Sequence, residues 1–413
     1  MSAGTTGQAT AAPTGTTGAE PTIEGFTAPG FEAVRAAFEE NFASRGEVGA
    51  SVGVVVDGRT VVDLWGGVAD PATGRAWQRD TTTLVYSVTK GISSVLLHVL
   101  AQRGTLDLDA PVAEYWPEFA QQGKGRVTVR QLVSHQVGLP AVDTRLSLEQ
   151  LLDGHSVAEA LAAQPPLWEP GTAHGYHALT FGWLVAELVR RATGREFGEL
   201  VQELLAEPLG LTLWVGLPSD AGADVATLVD GVPDPALFAA MDPAAQEAML
   251  KFREIIADPE SLFARVLSTN GALPTPDAAA WNDPRVRATA LPAASGITNG
   301  RSLARLYGAC VAEVDGIRLL DPDVVDRART ELVFGADQVL MSPTRFGTGF
   351  MLHHDGMAML SDASFGHTGA GGALAFADVD ARVGFGYAQN LLGANPVELR
   401  SAALVAAVRD SLG

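Results

Sequence analysis

Apolar positions along this chain change period several times, and each change marks a different element. In residues 30–44, "GFEAVRAAFEENFAS", the residues Phe31, Val34, Phe38 and Phe42 recur at the spacing that gathers them on one helical face. The next stretch, "ASVGVVVDGRTVVDLWGG", carries two β-branched runs about Asp57-Gly58, a dipeptide that tolerates the left-handed backbone of a tight hairpin turn. From Ser87 to Arg103 a helical period returns, with Val95, Leu96, Val99 and Leu100 apolar and Gly104 placed to end it. Helical stretches dominate residues 127–206, among them "SLEQLLDGHSVAEALAAQ" and "TFGWLVAELVRRATG". Residues 216–292 read as looser and proline-rich, with "PTPDAAAWNDP" as a loop. Strands return in "FGTGFML", "GGALAFADVD" and "ARVGFGYAQN", the last two joined by a turn at "DVDA", before a closing helix in "NPVELRSAALVAAVRDSL".

Strands at both ends with helices between them predict an α+β protein. One antiparallel sheet is assembled from the two chain ends under flanking helices, and a mainly helical domain is inserted. On this reading residues 1–28, rich in Thr, Gly and Ala, are a flexible tail. Residues 29–85 and 290–413 form the sheet domain and residues 86–289 the helical domain.

Composition narrows the function. A chain of 413 residues with 47% apolar and 18% charged residues buries a large core. Its formal charge of −20 repels polyanions and no basic run interrupts it, so nucleic acid is not an expected partner. No apolar run reaches membrane-spanning length and the N-terminus lacks a secretory pattern, so the expected location is the cytoplasm, with no membrane association. Cys310 is the single cysteine and sits in an amphipathic stretch, which reads as a buried, inert thiol.

One residue stands out against this background. The chain uses 25 arginines and only three lysines, Lys90, Lys124 and Lys251. An ammonium can lose its proton when desolvated, whereas a guanidinium effectively cannot. Lys90 follows Ser87 by three positions, so both face the same side of a helix, and Ser87 falls at that helix's N-terminus, where free N–H groups favour developing negative charge. A nucleophile and its base fit this pair; so does a serine that merely caps the helix beside a solvated lysine. A competing motif, G-x-S-x-G at "GASVG", would make Ser51 the nucleophile, but it needs a strand turning into a helix and here the order is reversed. Ser51 reads as a strand-entry residue.

Two later segments bear on Ser87. "EPGTAHGYHALTFGWLV" sets Tyr176 in a Gly-bearing turn before an amphipathic helix, and "FGHTGAGGALAF" sets His367-Thr368-Gly369 before a strand. Ser87-x-x-Lys90, Tyr176 after "PGT" and the late His367-Thr368-Gly369 together resemble the serine β-lactamase and penicillin-binding-protein superfamily. Within it, the class C β-lactamase-related carboxylesterases, or family VIII esterases, are the nearest likeness. "VTVRQLVSHQVGLP", "LDLDAPVAEYWPE", "ALPAASGITNGRSLARLY" and "FGTGF" are similar to that family along the chain from about residue 30.

The resemblance implies a β-lactamase/transpeptidase-like fold and a serine hydrolase that cleaves carboxylic esters, with short acyl groups. Ser87 would be acylated, with Lys90 and Tyr176 moving its proton, and the backbone N–H groups of Ser87 and Ala370 would form the oxyanion hole. His367, Thr368, Gly369 and His177 would line the substrate site. No cofactor and no metal are implied, and the partner is a small-molecule ester; the oligomeric state stays open. Two positions depart from the family: Tyr-x-Asn is Tyr176-His177-Ala178, and Lys-Thr-Gly is His367-Thr368-Gly369. The first removes an amide that meets amide substrates and the second a permanent cation, and both favour uncharged esters over lactams and peptides. Holding Lys90 neutral near pH 7 costs its ammonium roughly 4 kcal/mol, which burial can supply. Whether neutral Lys90 or a lysine-influenced Tyr176 takes the Ser87 proton stays open. So do a β-lactamase, a D-amino-acid peptidase or an acyltransferase on the same fold, and a sensor acylated only once.

Overall fold

The computed structural model describes residues 22–232, 235–393 and 399–413. Its main sheet runs in the order Ile23–Thr27, Arg59–Asp70, Gly49–Val56, Val383–Gln389, Leu374–Asp378, Ser364–Thr368, Met351–Leu352, Pro343–Phe346 and Val333–Ala336. Neighbours along this order are antiparallel. The two ends of the chain meet in its middle, where Gly49–Val56 pairs with Val383–Gln389 in a register running from Val56↔Val383 to Ala50↔Gln389. Asp57 and Gly58 turn the first hairpin at φ +48° and +77°, the left-handed conformation that this dipeptide accepts.

Both faces of the sheet are covered. Helices Glu32–Ser44 and Leu399–Leu412 pack together near one face, sharing a core of Val34, Phe38, Leu404 and Val408 with Val52, Val54, Phe376 and Phe385. Helix Gly300–Val311 lies on the central strands. That contact is backbone on backbone: a Cβ at Gly384 would fall 2.2 Å from Gly308 N and 2.3 Å from Ala304 O. Ser51 belongs to this seam. It is buried in its strand and its Oγ accepts the Gly300 N–H at 2.9 Å, a structural bond that leaves it away from any catalytic partner.

Helix Val88–Gln102 is buried at every position from Val88 to Leu100 and therefore runs through the core rather than along the surface. Its polar residues are satisfied one by one: Ser93 donates to Pro292 O at 2.7 Å, Ser94 to Gly349 O at 2.7 Å, and the His98 ring bonds Thr348 O at 3.0 Å. The helix stops where Gly104 takes φ +73°. No helix among the described residues is long and apolar enough to cross a membrane.

Three expectations change. Residues 23–27 do not belong to the tail; they form the edge strand, Ile23 pairing with Gly66 and Thr27 with Val62. Residues 1–21 of the expected tail, and 395–398 of the expected closing helix, lie outside the described residues. "FGTGFML" is not one strand, because Gly349 at φ +82° turns the chain between Phe346 and Met351 and docks it on Ser94. The looser region holds helices Pro243–Ala257, Leu262–Ser268, Ala278–Asn282 and Pro284–Ala288. Their N-caps are Asp242, Ser261, Asp277 and Asp283, each accepting a backbone N–H, so Asp242-Pro243 and Asp283-Pro284 start helices instead of marking loops.

Candidate active site

The segment before Ser87 is pinned. Thr83–Leu84 pairs with Gly296–Thr298, and Val85 N–H donates to Gly296 O at 2.9 Å. Tyr86 then takes φ +45°, an uncommon conformation for a bulky residue that costs about 1 kcal/mol or more. The Thr89 hydroxyl holds it there, donating to Tyr86 O at 2.5 Å while accepting the Gly296 N–H at 2.8 Å. The Tyr86 ring packs on Trp281 at 5.1 Å between centroids. This sharp entry delivers Ser87 to the head of its helix, and its side chain makes no capping bond. The capping role that the sequence left open is therefore not what Ser87 does.

Lys90 is fully buried. Its Nζ lies 3.1 Å from Ser87 Oγ, 2.7 Å from Ala178 O and 3.1 Å from Ala293 O. The Tyr176 and Phe181 rings flank it at 4.8 and 5.7 Å. No carboxylate pairs with it among the described residues, and burial pushes its pKa well below the ordinary lysine range. An ammonium would donate all three bonds. A neutral amine spends its two protons on the carbonyls and turns its lone pair to Ser87 Oγ.

Tyr176 closes the group from the other side. Its hydroxyl bonds Ser87, while burial raises its pKa and outweighs that bond's lowering, so the phenol keeps its proton at neutral pH. Its backbone is clamped by Asp337, whose Oδ1 accepts the N–H groups of Tyr176 at 3.0 Å, Val339 at 2.8 Å and Leu340 at 2.9 Å. Asp337 Oδ2 also accepts the Thr344 hydroxyl at 3.0 Å. Phe346 and His135 pack against the ring.

Strand Ser364–Thr368 brings His367 over the same helix; a Cβ at Gly91 would lie 3.3 Å from His367 Cβ. His367 is fully buried, its Nδ1 bonds Thr368 O at 2.6 Å, and its Nε2 has no partner among the described residues. Burial, then the neighbouring Lys90, lower its pKa to about 3, so the ring is neutral at pH 7. Thr368 donates to Met351 Sδ at 3.6 Å. At Gly369 a Cβ would fall 2.3 Å from Val85 O, so only glycine lets the strand end rest on the segment before Ser87. Among the described residues neither the Ser87 nor the Ala370 N–H donates to protein.

His177, expected at the substrate site, turns both ring nitrogens to backbone groups. It is fully buried, its Nδ1 bonds Gly175 O at 2.6 Å, and its Nε2 accepts the Leu139 N–H at 2.9 Å, so both nitrogens serve the backbone. Burial lowers its pKa to about 3. Its neighbour Ala178 contributes a carbonyl to Lys90 instead of the amide found in the family. His353 and His354 each accept a nearby backbone N–H, from Met359 and Gly356. Burial pushes the Cys310 thiol up to about 12, and it donates to Leu306 O.

Sequence reasoning did not find the Ala178 and Ala293 carbonyls, Asp337 or His135. Carbonyls carry no side-chain signature. Asp337 lies 161 positions from the residue whose backbone it holds, in a stretch without periodicity. His135, in "VSHQVGLP", could have been noticed: it takes φ +64° and its Nδ1 accepts the His177 N–H at 3.1 Å.

A Ser-x-x-Lys pair with its lysine buried on a core helix, beside an antiparallel sheet made from both chain ends, defines a class of serine enzymes, and comparison with known proteins agrees. A family model described as Beta-lactamase matches residues 34–410, and the chain belongs to that family. The esterase/beta-lactamase LipL of Mycobacterium tuberculosis is 36% identical over 380 residues, spanning 90% of this chain and 83% of LipL. The crystal structure of a family VIII carboxylesterase superposes with a TM-score of 0.83 at 36% identity, covering 94% of this chain and 100% of that one. A penicillin-binding protein homologue from Caulobacter crescentus gives 0.78 at 34% identity, covering 94% and 100%.

Proposed function

We propose that this protein hydrolyses small carboxylic esters, with short acyl groups, through an acyl-enzyme on Ser87. The observation that carries the reading is the buried Lys90 amine, committed to two carbonyls and directed by its remaining valence at Ser87 Oγ. Lys90, rather than Tyr176, takes the Ser87 proton, because burial drives the amine towards its neutral form and holds the phenol in its protonated form. Ser87 Oγ then attacks the ester carbonyl, and the Ser87 and Ala370 N–H groups stabilise the oxyanion by about 3 kcal/mol each. As the tetrahedral intermediate collapses, the Tyr176 hydroxyl gives its proton to the departing alkoxide and is reprotonated from Lys90. Water repeats the sequence on the acyl-enzyme and frees the acid. Residues 23–85 and 290–413, edge strand included, act as one domain and 86–289 as the other, with the site between them.

His367 and Ala178 support esters over lactams. A neutral imidazole offers no fixed charge to a substrate carboxylate, and alanine offers no amide to a lactam or peptide. Lactam cleavage is the second reading, favoured by the double name of LipL. Rates on p-nitrophenyl butyrate and nitrocefin separate the two: the ester is expected to turn over faster, and faster lactam turnover would overturn the assignment.

A further inference from the structure

The turn after His367-Thr368-Gly369 has little rigidity of its own. Gly371 and Gly372 stand at φ +83° and +107°, and the turn's own bonds are Gly369 N–H to Ala373 O at 2.7 Å and Gly372 N–H to Gly369 O at 3.1 Å. Peptide planes flanked by glycine reorient easily, yet an oxyanion donor must keep its aim throughout the reaction. An anchor comes from two other elements. The Gly371 carbonyl accepts Gln389 Nε2 at 2.6 Å and Arg400 Nη2 at 2.6 Å. Gln389 ends a central strand and Arg400 opens the C-terminal helix, and both are buried. Arg400 is itself oriented, its Nη1 donating to Glu47 Oε1 at 3.1 Å, while Glu47 Oε2 accepts the Tyr387 hydroxyl. A buried pair of this kind adds little net stability but holds its groups in one arrangement.

We propose that Arg400 and Gln389 are positioning residues for the oxyanion hole. By gripping the Gly371 carbonyl they hold the preceding Ala370 N–H on the substrate oxygen at Ser87. This rests on the roles given above to Ser87 and Ala370.

Two variants test it, Gln389→Met and Arg400→Lys. The first removes one donor to Gly371 together with an Oε1 that is buried without a partner among the described residues, so folding loses little. The second keeps a cation opposite Glu47 but loses the fork. Active sites are counted by fluorophosphonate labelling, and kcat, KM and Tm are measured with p-nitrophenyl butyrate. For both variants kcat per labelled site falls about ten-fold or more, with KM within about two-fold, because the donor acts mainly in the transition state. For Gln389→Met, Tm stays level or rises while kcat falls, a pairing that a merely structural role does not produce. Should Arg400→Lys fail to fold, Gln389→Met decides alone. Parental kcat per site in Gln389→Met overturns the proposal, provided Ser87→Ala is inert; if Ser87→Ala is active, the reading of the site fails first and takes the proposal with it.

Discussion

At the scale of single residues, the chemistry turns on whether the nitrogen at position 90 can be uncharged. Arginine there keeps a permanent charge, and methionine keeps the volume without a basic nitrogen. Lys90→Arg and Lys90→Met are both expected to lower kcat/KM by about a thousand-fold or more, the range for losing an activating base. Retention of a tenth of the parental rate by Lys90→Arg would show that neutrality is not needed. The pH profile carries the same claim with a sign. In the proposed mechanism activity needs the amine neutral, so kcat/KM is expected to rise with pH as Lys90 loses its proton. Because burial lowers that pKa, the plateau is reached below the ordinary lysine range. A rise that continues through pH 10 in the folded enzyme contradicts it. The sequence carried this residue in plain view, as one of three lysines spaced three positions from a serine. It could not carry the two carbonyls that fix the amine's direction, since every residue has one.

At the scale of elements, the site is held by close backbone contacts and by one carboxylate. Gly369→Ala forces a methyl against Val85 O, a backbone atom that cannot swing aside, and so separates the late strand from the segment before Ser87. Its kcat is expected to fall by at least about ten-fold at nearly unchanged KM; parental kcat would mean that this contact does not set the site. Asp337→Ala leaves the Tyr176, Val339 and Leu340 N–H groups without their acceptor. Each buried orphan costs about 1–3 kcal/mol, so a lower denaturation midpoint and a lower kcat are expected together. Loss of neither would show that the clamp is incidental. The elements themselves were largely legible: the first helix, the Asp57-Gly58 hairpin, the serine helix and the late strands all follow hydrophobic period and turn chemistry. The edge strand Ile23–Thr27 was not, because its side chains are mostly exposed and it exists through pairing with Arg59–Asp70. The break in "FGTGFML" was hidden for a related reason, since Ser94 of a distant helix supplies the contact that seats it.

At the scale of the whole molecule, several buried histidines make the fold sensitive to acid. His98, His135, His177 and His367 are held neutral by burial, with pKa values of about 4 for His98, about 3 for His177 and His367, and well below the usual value for His135. In the unfolded chain they take protons as pH falls through about 6.5, whereas the folded protein resists until much lower pH. The unfolded state therefore binds more protons across that interval. Stability is complete above about pH 6.5 and falls below it, each group contributing up to about 1.4 kcal/mol per pH unit. Thermal melts are expected to show Tm dropping steadily from about pH 6.5 to 4.5; a level Tm there would mean that these rings reach water in the native state. No sequence pattern announces this property, because the histidines are scattered and only the fold gathers His135, His177 and His367 around Lys90.

Ser87 Oγ is, as proposed, the atom that becomes acylated, made reactive by its neighbour at position 90. Mass spectrometry of proteolytic peptides after a fluorophosphonate measures it directly. One adduct is expected, on Ser87, formed by the parent and lost in Lys90→Met. An adduct on Ser51 or any other residue, or equally fast labelling of Ser87 without the lysine, would contradict it.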